Sequence, residues 1–114
     1  MKPGEIYLAD LYEAGVRPVL IVSRESLNRG GYAVAVPFTT SHFERRRRLP
    51  NCVTFQSGQS GLAKDCVAQC EAILTVDQSQ FENSAGPIGT VDDAIMRDVI
   101  RAIGHVIESN CEPD

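Results

Sequence analysis

The sequence predicts a mainly β protein, a small and curved barrel-like sheet closed by one C-terminal helix. Three observations carry that expectation. About five short runs of β-forming residues are separated by turn signals. One segment near the C-terminus repeats its apolar residues at helical spacing. The chain has 114 residues, the length of one ordinary domain, so a single domain is expected over residues 1–114.

In order along the chain, "GEIYLADL" (residues 4–11) alternates Ile6 and Leu8 against Tyr7 and Ala9, as a half-buried strand does. "YEAG" follows as a turn. "PVLIVS" (residues 18–23) is apolar throughout and reads as a buried strand, with Pro18 at its first position, where a missing N–H does least harm. "RESLNRGG" has short helical or turn character. "YAVAVPF" (residues 32–38) sets Tyr32, Val34, Val36 and Phe38 against the small Ala33 and Ala35, and Pro37 is expected to end full pairing.

"TTSHFERRRRLPN" reads as a long polar loop, "CVTF" as a short strand, and "QSGQSGLAKD" as a turn. "CVAQCEAI" (residues 66–73) alternates so that Gln69 and Glu71 share one strand face and Cys66 and Cys70 the other. The tail is a helix. Thr90 with Asp93 three residues later resembles a capping box, and Ile95, Val99, Ala102, Ile103 and Val106 form its apolar stripe.

A net charge of −4 argues against indiscriminate nucleic-acid binding. The charge is uneven, however. Residues 45–48 are four consecutive arginines beside His42 and Phe43, whereas Asp92, Asp93, Asp98, Glu108, Glu112 and Asp114 lie elsewhere. A local basic loop can serve a strand of nucleic acid on an acidic molecule. No apolar run approaches the length of a membrane span, and "MKPGEIYLAD" has no signal-peptide core, so a cytoplasmic protein is expected.

The four cysteines, Cys52, Cys66, Cys70 and Cys111, have neither disulfide-scaffold density nor zinc-site spacing and read as small hydrophobes. His42 and His105 are far apart. No metal or cofactor is expected. There is no phosphate-binding glycine loop and no nucleophile elbow.

Arg17, Thr39, Thr40, Ser41, Gln69 and Glu71 remain, at strand ends or on one strand face. Taken singly, each has an ordinary reading as a solvated cation, a turn former or a cross-strand partner. Together they suit phosphodiester cleavage in RNA. There the substrate's own 2′-OH is the nucleophile, and the protein need supply only a proton acceptor and donors for the phosphorane. Arg17 forks onto phosphate oxygens, Thr39 donates a hydroxyl hydrogen bond, and Glu71 is the candidate base.

"GEIYLADL", "RPVLIVS", "YAVAVPFTTS", "SGLAKDCV" and "TVD", in this order, resemble the MazF/PemK family of toxin endoribonucleases. The resemblance implies a compact SH3-like β-barrel shared with the gyrase poison CcdB, built as a homodimer. It implies metal-independent, sequence-selective cleavage of single-stranded RNA to a 2′,3′-cyclic phosphate and a 5′-hydroxyl. It also implies a cognate antitoxin with an acidic, flexible tail. On this basis Arg17, Thr39 and Glu71 match the family's active-site positions. Thr40, Ser41, Gln69, Arg45 and Arg46 become candidate RNA contacts.

Three positions depart from the family pattern. "YEAG" is a short segment before Arg17, with Glu13 its only acid. Ala72 stands where glutamine is usual, and Leu74 where arginine is common. They keep a second reading open, a non-catalytic protein-binding poison of the CcdB kind, or a member that only dimerises and binds its antitoxin.

Overall fold

A computed structural model of the chain describes residues 1–82 and 86–107. Cys111, the acids Glu108, Glu112 and Asp114, and the end of the expected helix lie outside the described residues. Seven strands form one sheet: β1 (Glu5–Asp10), β2 (Val16–Ile21), β3 (Tyr32–Thr39), β4 (Cys52–Phe55), β5 (Cys66–Gln69), β6 (Leu74–Asp77) and β7 (Gly89–Thr90). Their order is β4-β5-β3-β2-β1-β7, with β6 also pairing β3, and every pairing is antiparallel. Two short helices, α1 (Glu25–Asn28) and α2 (Phe43–Arg46), join strands, and α3 (Asp93–Gly104) closes one face. The chain is thus mainly β with a C-terminal helix, as its sequence predicts.

The sheet is covered on both faces, which explains why β2 and β3 are apolar nearly throughout. Ile6, Leu20, Val36, Phe38, Phe55 and Val99 pack on the α3 side, where the rings of Phe38 and Phe55 meet edge to face at 5.0 Å. Val19, Ile21, Ala33, Ala35 and Val76 pack on the other side, beneath Tyr7 and Phe81. The alternation of β3 therefore sorts bulky from small side chains between two cores.

Several boundaries differ from expectation. β2 begins at Val16, so Pro18 is inside it, opposite Leu8. β3 does not stop at Pro37. It pairs β6 from Tyr32 to Ala35 and β5 at Phe38 and Thr39. Pro37 stands where β3 changes partner, and that is why a residue without an N–H is tolerated mid-strand. The polar loop after β3 contains α2.

Residues 66–73 are not one strand. β5 ends at Gln69, and Cys70–Ala72 is a 3₁₀ turn that swings the chain into β6. Glu71 accordingly stands on a turn rather than on a strand face. α3 is capped by Asp92, which accepts from the N–H of Ile95 at 2.8 Å, rather than by Thr90. Among the described residues no helix is long and apolar enough to cross a membrane.

Candidate active site

The β2–β3 register pairs Val19 with Pro37, Leu20 with Val36 and Ile21 with Ala35. Extended two residues outward on each strand, it sets Arg17 opposite Thr39. At this end the strands border a cavity of about 300 Å³, lined by both residues. Thr40, Ser41 and Lys64 complete its polar wall, and Pro18, Phe38, Leu62 and Cys66 its apolar floor.

Each polar group is held from behind. The Nε of Arg17 donates to the carbonyl of Ala14 at 3.0 Å, so the short "YEAG" turn anchors the guanidinium. That turn is itself fixed by the N–H of Tyr12 on Asp10 Oδ1 at 2.8 Å. The two terminal nitrogens of Arg17 remain available for a bidentate contact. Among the described residues neither ion pair involves Arg17 or Lys64.

Thr39 is 7% exposed, and its Oγ1 accepts the N–H of Ser41 at 3.1 Å. With that acceptor role filled, its own hydrogen is left to donate. Lys64 belongs to a loop clamped by the N–H of Ser57 on Asp65 Oδ1 at 2.7 Å and the Ser57 hydroxyl on the Ala63 carbonyl at 2.9 Å. The same loop presses Gly61, at φ +80°, against β7. A Cβ on Gly61 would strike the Ile88 carbonyl, and one on Gly89 the Ser60 carbonyl.

The thiol of Cys66 in the floor is no nucleophile. Burial, reinforced by the charge of Asp65, pushes it up to about 11.

Gln69 and Glu71 do not line this cavity. Glu71 accepts from Asn51 Nδ2 at 2.8 Å and from Gln69 Nε2 at 3.1 Å. Burial alone would raise its carboxyl. The hydrogen bonds from Gln69, its own backbone and Asn51, with the charge of Arg46, outweigh burial and hold it below the usual carboxylate range. Both its oxygens are engaged, so it is a weak proton acceptor and a firm anchor.

Arg46 of α2 therefore belongs with Glu71. Arg45 is exposed. Arg47 pairs with Glu44 at 3.5 Å and lies 5.4 Å from the centre of the Phe43 ring. Sequence reasoning did not single out Lys64 or Asn51. Lys64 is far from Arg17 in the chain, and Asn51 is far from Glu71; only the folded loops bring each pair together.

Residues 2–107 match the family described as PemK-like, MazF-like toxin of type II toxin-antitoxin system. The chain belongs to this family. Endoribonuclease EndoA of Bacillus subtilis is 29% identical, over 90% of each chain. Endoribonuclease MazF of Staphylococcus saprophyticus is 28% identical, over 96% of this chain and 98% of its own. A solved mycobacterial endoribonuclease in complex with its cognate antitoxin superposes with a TM-score of 0.74 at 27% identity, over 93% of each chain. PemK/MazF relatives that span nearly their whole length with this chain are thus named as RNA-cleaving enzymes.

Proposed function

We propose that this chain is the toxin of a type II toxin–antitoxin pair and a metal-independent, sequence-selective endoribonuclease acting on single-stranded RNA. The observation that carries this reading is the convergence of Arg17 and Thr39, from separate strands, on one cavity.

A scissile phosphate bound there meets the free fork of Arg17, the compact charge of Lys64 and the Thr39 hydroxyl. The substrate's 2′ oxygen attacks phosphorus and its proton passes to solvent. The P–O5′ bond breaks and O5′ takes up a proton, leaving a 2′,3′-cyclic phosphate and a 5′-hydroxyl. Preorganised donors aimed at the developing phosphorane are each worth about 10²–10³ in rate. Glu71 serves this reaction at a distance, through the residues it holds. Thr40, Ser41, Arg45 and Arg46 contact the flanking RNA.

The partners proposed are single-stranded RNA, an antitoxin whose acidic, flexible tail covers the basic rim, and a second copy of the chain. The homodimer reading draws support from Ile100 on α3, 60% exposed, and Ile107 just beyond it, 61% exposed. The cytoplasm, where mRNA is found, is the proposed location.

The test is cleavage of a single-stranded RNA panel by purified protein in excess chelator. Wild type is expected to cut and Arg17→Ala to lose at least about 100-fold with an unchanged melting temperature. Undiminished cutting by Arg17→Ala removes the proposed mechanism. No cutting by wild type favours the protein-binding alternative.

A further inference from the structure

The turn between β1 and β2 passes through two left-handed backbones, Tyr12 at φ +60° and Gly15 at φ +80°. Such conformations persist only where the surroundings impose them. Packing does not impose these two. The Tyr12 side chain is 71% exposed, and a Cβ on Gly15 would meet no described atom within 4 Å. Hydrogen bonds do the holding. Asp10 Oδ1 accepts the N–H of Tyr12 at 2.8 Å. The Leu11 N–H donates to the Gly15 carbonyl at 2.9 Å, and the Gly15 N–H to the Tyr12 carbonyl at 2.9 Å.

Asp10 is gripped in its turn from the end of β6. Gln80 accepts the Asp77 N–H on Oε1 at 2.8 Å and donates Nε2 to the Asp10 carbonyl at 3.0 Å. Support therefore passes from β6 through Asp10 and the turn to the Ala14 carbonyl, which accepts Arg17 Nε at 3.0 Å. That last contact decides how the guanidinium is used. A guanidinium has two donor forks, one made by Nε with a terminal nitrogen and one made by both terminal nitrogens. The Ala14 carbonyl closes the first and leaves the second for the phosphate.

We infer that Asp10 is a positioning residue for Arg17: through the turn it caps, its carboxylate selects the end-on fork of the guanidinium and fixes where that fork meets the phosphate, with Gln80 bracing Asp10 from behind. A cation held in advance needs no rearrangement of this turn when RNA arrives, so the effect falls on the chemical step rather than on RNA capture. Asp10 itself touches neither the substrate nor the reacting atoms. The inference deepens the endoribonuclease reading and rests on it for the reaction that Arg17 serves.

The test is a mutant cycle on single-stranded RNA cleavage by the full-length protein. Asp10→Ala is expected to slow kcat about 10- to 100-fold while KM changes by no more than about threefold. Asp10→Asn keeps an acceptor oxygen for the Tyr12 N–H and should stay within about threefold of the wild-type kcat. Added to Arg17→Ala, Asp10→Ala should cost no more than about a further twofold, because no guanidinium is left to place. A wild-type rate in Asp10→Ala, an equal loss in Asp10→Asn, or an equal loss with and without Arg17 overturns the inference, the last marking Asp10 as a support of the fold alone. A second measurement needs no RNA. Hydrogen exchange at Arg17 Nε, followed by nuclear magnetic resonance in the free protein, should quicken at least about tenfold in Asp10→Ala and not in Asp10→Asn. Unchanged exchange in Asp10→Ala overturns the inference. If exchange responds as expected but wild type cuts no RNA, the nuclease reading falls and the positioning of Arg17 by Asp10 stands.

Discussion

A single hydroxyl illustrates what the site asks of its residues. Thr39 is nearly buried, already accepts from Ser41, and keeps one hydrogen to give. Thr39→Val keeps the shape and deletes the hydroxyl. It is expected to slow RNA cleavage about 10²-fold, whereas Thr39→Ser should retain most of the rate. Single-turnover cleavage by the three proteins reads the difference, and equal rates for Val and Thr would remove the hydroxyl from the reaction.

The meeting of Arg17 and Thr39 was legible because they lie at the ends of neighbouring, strongly patterned strands, while their roles in the reaction were implied by the family resemblance. Lys64 and Asn51 were not legible. Their positions depend on loops whose conformation is fixed by contacts with distant carbonyls and carboxylates, which leave no local periodicity. Glu71 was legible as a residue of interest and misread in its setting, because apolar alternation continues through Cys70–Ala72 while the backbone turns.

At the level of elements, the loop bearing Lys64 is held by the close approach of Gly61 to Ile88 and Gly89. Gly61→Ala combines an unfavourable φ with a collision against backbone that cannot swing aside. It is expected to cost at least about 1–3 kcal/mol in chemical denaturation and to weaken RNA binding in parallel. The helix cap gives a contrasting case. Asp92→Ala should cost about 0.5–2 kcal/mol without altering binding, since Asp92 serves the N-terminus of α3, away from the cavity.

The strands β1 to β5 and the helix α3 announced themselves through long or clean patterns. β6 did not, because it follows the Cys70–Ala72 turn with no Gly or Pro between them, and β7 did not, being two residues long. So short a strand exists by pairing with a neighbour already in position, and its own residues carry too few repeats to reveal it.

For the whole molecule, charge and protonation make two predictions. Cations gather around the cavity and α2 on a chain of net charge −4. If Arg17, Lys64 and one α2 arginine each neutralise a phosphate, log affinity for single-stranded RNA should fall with log salt at a slope of about −2. A slope near zero, measured by anisotropy, would point to a chiefly apolar interface.

Alkali should unfold the protein. Burial raises Cys66 from 9.0 to about 11, and Cys70 from 9.0 to about 12 with help from the charges of Cys52 and Glu71. The folded state therefore holds these protons more tightly than the unfolded state. That stabilisation is complete below about pH 9 and is lost as pH rises through about 11 to 12. The denaturation midpoint should decline over that window, and a flat profile would mean that the thiols are less enclosed than they are drawn.

The change of partner at Pro37 has a mechanical corollary. β3 is ruled into two hydrogen-bonded strips: one with β6 that ends at Ala35, and one with β5 that starts at Phe38. The second strip adjoins the cavity; between the two strips Val36 and Pro37 are paired by β2, and the Cys70–Ala72 turn carries the chain from β5 to β6. Parting β5 from β3 breaks no hydrogen bond between β3 and β6, so fraying at the cavity end leaves the β6 strip, and the β2 ladder beside it, zipped.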